Sequence, residues 1–130
     1  MEYTTDYFIK KFEVIHEHLW ATGAYSRLVF PLTSLADKQY CAMGFCGQYS
    51  AFDYTEESRA LNYLFVEYIS YTPQLVNDGR AHGFQIGITP KQRIMHALYY
   101  IKEKQEGNLI GQVPYSITRQ ITEALSLQEA

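Results

Sequence analysis

The chain has 130 residues, 47% of them hydrophobic, and eleven basic against fourteen acidic residues give a net charge of −3. That length suits one helical domain over residues 1–130 with its own core, and the hydrophobic share excludes wholesale disorder. The charges are dispersed. Beyond the pair Lys10-Lys11 there is no basic patch, which argues against nucleic-acid binding, and no acidic run imitates a polyanion.

Twelve Tyr, seven Phe and one Trp make the chain rich in aromatic rings. Tyr can sit half-buried with its hydroxyl wet, so such a chain builds a thick core, a sticky surface, or both. Residues Met1 to Asp6 are polar and acidic where a secretory signal would be basic and then apolar. No apolar run approaches the roughly 20 residues that span a bilayer. A cytoplasmic, membrane-free protein is the expectation. Cys41 and Cys46, five apart in an expected helix, are too far apart to bridge and read as reduced thiols.

A first helix is expected from about Thr5 to Thr22, with Phe8, Phe12, Ile15 and Leu19 at i, i+4, i+7 and i+11 on one face. Gly23 ends it, and Trp20 anchors its end in the core. Tyr25 to Thr33 reads as extended loop, since a lone strand through Leu28-Val29-Phe30 has no partner. A second helix is expected from Ser34, with Asp37 three residues on in capping-box fashion, running through the apolar stretch Tyr40–Gly47. Gly44 and Gly47 lower its stability by about 1 kcal/mol each relative to Ala, which implies close approach of another helix or of a ligand.

Thr55 caps a third helix whose stripe is Leu61, Leu64, Phe65 and Tyr68, and Thr72-Pro73 closes it. Gln74 to Ile88, with Gly79, Gly83 and Gly87, reads as one long Gly-rich loop in which Leu75-Val76 and Phe84-Gln85-Ile86 can pair as a minor β-hairpin. The fourth helix has the fullest start signal in the chain. Thr89 caps it, Pro90 takes the first position, Gln92 reaches back as capping-box partner, and Ile94, Leu98 and Ile101 carry it to about Gln105. A short fifth helix is expected from Ile117 to about Leu127. The class is all-α, with about five helices.

The order Trp20-x-x-Gly23, Cys41-Ala42-Met43-Gly44, Val76-Asn77-Asp78 and a Thr89-Pro90-led helix resembles a family of small bacterial and phage helical proteins of unknown function. The resemblance runs over roughly Tyr7 to Lys104. This chain departs from it at Phe45, where the family has Ala, and at Val76, where the family has an aromatic residue. The resemblance implies a helical fold and a mobile-element origin, and with them an accessory or counter-defence role.

Few residues form constellations that carry chemistry. Glu13-x-x-His16 has the spacing that puts two metal ligands on one helix face, but no second such pair exists, so no metal or cofactor is expected. His16-Glu17-His18 is not a zinc signature, because residues two apart do not share a helix face. Cys41 or Cys46 would need a base such as His82 or His96 to act as nucleophile, yet both lie in apolar sequence where Cys behaves as a small hydrophobe.

The segment Asn77-Asp78-Gly79-Arg80-Ala81-His82 gathers an amide, a carboxylate, a guanidinium and an imidazole. It reads either as turn chemistry, with Asp78 bonding backbone amides and Gly79 at positive φ, or as a ligand loop above a pocket floored by Gly44 and Gly47. The function this supports is non-enzymatic binding of another protein, or of a second copy of the chain. Asn77, Asp78, Arg80, His82, Tyr99 and Tyr100 are the candidate contact residues, with Tyr63 and Tyr71 beside them. The alternative is a small-molecule or nucleotide-binding domain, a weak enzyme, built on the Asn77–His82 loop.

Overall fold

The computed structural model describes residues 2–28 and 38–108. Helix α1 (Thr5–Glu13) starts at Thr4, whose hydroxyl accepts a hydrogen bond from the Tyr7 amide at 3.1 Å. Phe8 and Phe12, one turn apart, stack at 6.0 Å between ring centroids and bury with Ile9 against the last described helix, α5 (Pro90–Gln105). Polar contacts pin the same pair: Thr5 donates to the Gln105 side chain at 2.7 Å, and Lys102 meets Asp6 at 3.0 Å.

The first helix is nine residues long and stops at Glu13, well short of Thr22. Val14 and Ile15 are β-branched and lose side-chain freedom in a helix. His16 then turns its ring onto the backbone, taking the His18 amide at 3.3 Å and opening a 3₁₀ turn, Glu17–Leu19. The break swings Trp20 inward, where it meets Phe12 and Phe45 edge-on at 5.3 and 4.8 Å.

Extended loop was the expectation for the segment after Gly23, but its first part is a strand. β1 (Ser26–Leu28) runs antiparallel to β2 (Lys38–Tyr40) in the register Ser26–Tyr40, Arg27–Gln39, Leu28–Lys38. The partner that β1 lacked in sequence is the stretch expected to be helical. Helix α2 is only Ala42–Phe45, with Cys41 at its N-cap, and Ser34 and Asp37 lie outside the described residues. Gly44 explains why α2 sits where it does. A Cβ there would lie 2.0 Å from the Tyr25 carbonyl oxygen, so the helix rests on the chain backbone itself rather than on another helix or a ligand. The Cys41 amide donates to that same carbonyl at 3.2 Å.

Helix α3 (Glu56–Ile69) opens with a capping box between Thr55 and Ser58, and the Thr55 hydroxyl also donates to the Cys46 carbonyl at 2.6 Å, tying the cap to the end of α2. Thr72-Pro73 does more than close α3. It opens helix α4 (Pro73–Asn77), with Thr72 accepting from the Leu75 amide. Leu75 and Val76 are therefore helical, and no hairpin joins them to Phe84–Ile86; the only paired strands among the described residues are β1 and β2. The long loop shrinks to the stretch after Asn77. At α5, Thr89 caps as expected and Gln92 reaches back to the Ile88 amide at 2.9 Å, one residue earlier than a standard capping box.

The fold is thus mostly helical. One hydrophobic core gathers side chains from α1 to α5, with Phe65, Leu61, Ile94, Leu98 and Ile101 fully buried at its centre. No described helix is long and apolar enough to cross a membrane. The expected helix at Ile117–Leu127 lies outside the described residues.

Candidate functional site

Asn77 ends α4 fully buried. Its side-chain amide donates to the Ala21 carbonyl at 2.8 Å, and its carbonyl accepts the Ala42 amide at 3.1 Å, so one side chain joins the 21–25 segment to the start of α2. Asp78 extends the clamp by accepting from the Gly23 amide at 2.9 Å and from Asn77 at 3.0 Å. Gly79 takes φ +74°, and the Arg93 side chain packs against it while its guanidinium donates to the Asn77 and Gly87 carbonyls. Asn77 and Asp78 thus act as turn and clamp residues, and Asn77 has no surface to offer a partner. The amide that Asp78 holds is 55 residues away in sequence rather than local.

Arg80 and His82 lie on the outside. The Arg80 side chain is 70% exposed and 3.9 Å from Asp78. His82 is exposed too, and among the described residues no hydrogen bond links it to Asp78. The structure therefore does not assemble Asp78 and His82 into an acid–base pair.

Asp78 also borders a cleft of ≈ 180 Å³ lined with Gly23, Ala24, Tyr25, Cys41 and Gln74. Neither Gly44 nor Gly47 floors it. Gly44 faces the Tyr25 backbone and Gly47 faces Thr55. The Gln74 amide donates to the Tyr25 hydroxyl at 3.1 Å, while its buried carbonyl oxygen has no partner. Burial pushes the Cys41 thiol up from its ordinary pKa, and the Asp78 charge adds to the effect. Cys46 is pushed up further, by burial first and by Glu57 second. Both cysteines are free and buried, in the apolar setting of packing thiols rather than the electropositive one that lowers a thiol's pKa.

The Glu13-x-x-His16 spacing loses its meaning because α1 ends between the two residues, and both lie away from the core. His16 and His18, which could not share an α-helical face, do meet. The 3₁₀ turn brings their rings to 4.5 Å and their Nδ1 atoms to 2.7 Å. Among the described residues no group of three or more His, Cys, Asp or Glu side chains is placed to hold a metal ion.

Of the candidate aromatic contacts, Tyr63 stands open, whereas the other three do not. Tyr100 is 3% exposed, its ring edge-on to Phe84 at 5.4 Å, and Tyr99 and Tyr71 are partly buried against the core. Helix α5 packs on α1, α3 and α4 at once, so it has little open circumference for aromatic rings. Among the described residues, the open Tyr and Phe rings are on α3 and the loop before it. Tyr63 is 65% and Phe52 94% exposed, with Tyr49, Tyr54 and Val66 also open. Tyr54, Tyr63 and Val66 line a shallow groove of ≈ 360 Å³ together with Arg59, Asn62 and Glu67, and the Arg59 guanidinium lies 5.7 Å above the Tyr54 ring. A signal for this face was present in sequence: Tyr63 and Val66 fall between the core positions Leu61, Leu64, Phe65 and Tyr68, where polar residues are ordinary.

Compared with protein-family models, with curated proteins and with solved structures, the chain matches none of them.

Proposed function

We propose that the chain works by binding another protein through the outer face of α3 and the loop that precedes it. The carrying observation is the groove of Tyr54, Tyr63 and Val66, with Phe52, two residues before Tyr54 in the chain, standing almost wholly in water. Folding gains little from Phe52 and Tyr63 where they stand, whereas a partner that covers them removes large apolar area from water at about 25 cal/mol per Å². Tyr and Arg, both present in the groove, are the side chains that most often carry binding energy at such interfaces. The cysteines and the Asn77–Asp78 pair, occupied with packing and clamping, support binding over catalysis.

The test is affinity purification of the tagged chain from its source cells beside a Phe52→Ser/Tyr63→Ser double variant. One protein recovered stoichiometrically with the parent chain and lost from the variant upholds the reading. Recovery that the double variant leaves unchanged, or no recovered protein and a monomeric sedimentation profile, overturns it. A dimer that the double variant converts to monomer identifies the partner as a second copy.

A further inference from the structure

The α3 face and the Asn77 clamp leave His16 and His18 unused. Their rings meet because the chain changes direction between them. His16 is the N-cap of the 3₁₀ turn, with extended backbone at φ −62° and ψ 143°, and His18 lies within the turn. The two Nδ1 atoms come to 2.7 Å, and both residues are exposed. His16 Nδ1 also accepts the His18 amide, so in the neutral pair it carries the lone pair, and the proton between the rings belongs to His18 Nδ1.

The backbone under the pair is anchored on two sides. The Gln39 side chain donates to the His18 carbonyl at 2.8 Å, which ties the turn to β2. The Thr89 hydroxyl donates to the Glu17 carboxylate at 3.3 Å, and Lys91 donates to the Glu13 carbonyl at 2.9 Å, which tie it to the start of α5. Trp20, two residues on, is buried in the core. Two rings carried on a fixed turn give up little freedom when they bind one ion together.

Coordination geometry sets how far apart two nitrogens on one metal ion lie. With bonds of about 2.0 Å, cis corners of a square plane are about 2.8 Å apart and corners of a tetrahedron about 3.3 Å. The 2.7 Å between the rings matches the square plane. We infer that the His16–His18 pair is a binding site for a divalent cation of square-planar habit, Cu²⁺ before all others, held by the two Nδ1 atoms. Imidazole suits this ion, and Cu²⁺ heads the affinity order of the first-row divalent metals. On binding, the His18 proton leaves Nδ1 and one is taken up from water at Nε2, so the ring stays neutral and both Nδ1 lone pairs turn to the metal. The His18 amide, at an exposed turn, then bonds water. Among the described residues no third His, Cys, Asp or Glu is placed to join the two rings.

Trp20 is the one tryptophan of the chain, and it follows His18 closely enough to report a paramagnetic ion bound there. Near neutral pH, Cu²⁺ should quench its fluorescence saturably, and excess EDTA should restore it. Electron spin-echo spectra of the complex should show the ring nitrogens of two imidazoles. His18→Gln removes an exposed ring, and His16→Asn keeps an acceptor for the His18 amide; each should weaken Cu²⁺ binding by at least about tenfold. In competition, Zn²⁺ should bind at least about tenfold more weakly than Cu²⁺. The inference is overturned if quenching does not saturate or EDTA fails to reverse it. A smaller loss in either variant, fewer than two imidazoles in the spectra, or Zn²⁺ binding closer to that of Cu²⁺ overturns it equally.

Discussion

Around Asn77, where α2, α4 and the 21–25 segment meet, the Asn77 and Asp78 side chains join distant stretches of backbone by hydrogen bonds. On the outer side of α3, large apolar side chains meet water instead. The Asn77 region has the richer chemistry in sequence, yet its groups hold the fold together. The α3 flank offers in sequence only Tyr63 as a candidate contact, yet it carries open apolar surface. Functional-group density is thus a poor guide to function when amides and carboxylates can be satisfied internally. An unsatisfied ring in water has no such internal explanation.

The contrast can be broken most severely at Gly44. A Cβ placed 2.0 Å from the Tyr25 oxygen forces backbone apart from backbone, so Gly44→Ala should cost about 3 kcal/mol in urea unfolding. Asn77→Ala comes next. It leaves the Ala42 amide and the Ala21 carbonyl unpaired in the interior and should cost about 2 kcal/mol by the same measurement.

A smaller effect is expected from pH. Burial lowers the pKa of His96 below its ordinary 6.5, partly offset by a hydrogen bond to the backbone at Ile86. The unfolded chain then binds the proton first, so the stability contributed by neutral His96 is intact above about pH 6.5 and is lost as pH falls through the lowered value. The urea midpoint should drop between pH 7 and pH 5, and His96→Gln should flatten that slope.

The smallest effect should come from the α3 face. Phe52→Ser and Tyr63→Ser should each change stability by less than about 0.5 kcal/mol, while the pair abolishes partner recovery. A loss of several kcal/mol at either position would mean that the face belongs to the core, and the comparison would collapse.

Much of this arrangement is legible in the residues, though unevenly. The caps at Thr55 and Thr89 are readable because their signals are local: a hydroxyl followed three residues later by a group that can reciprocate. The start of α4 uses the same Thr-Pro signal as α5 and escapes notice, since five residues are too short to show helical periodicity. The β1–β2 pair is hidden for a different reason. Strand pairing is a long-range property, and the Lys38–Tyr40 segment joins an apolar run that imitates a buried helix. His16 shows a third kind of failure. The apolar stripe continues to Leu19 as if the helix did, and only the side-chain bond from His16 to the His18 amide reveals the break.

For the cleft, Asp78 stands out in sequence and its neighbours do not. Tyr25 and Cys41 reach it through the folded chain from 53 and 37 positions away, distances over which sequence spacing carries no information.

The seating of α1 on α5 has a consequence in time. Thr5 and Gln105 are partners a hundred positions apart, and Phe8 and Phe12 find their cover on a helix made near the end of this stretch of chain. At roughly 5–20 residues per second, synthesis keeps that cover away for about 5–20 s after α1 is made. Through that interval the first helix is an apolar ridge with nothing to rest on, a target for any chaperone that patrols nascent chains. The arrival of residues 90–105 is the event that ends its wait.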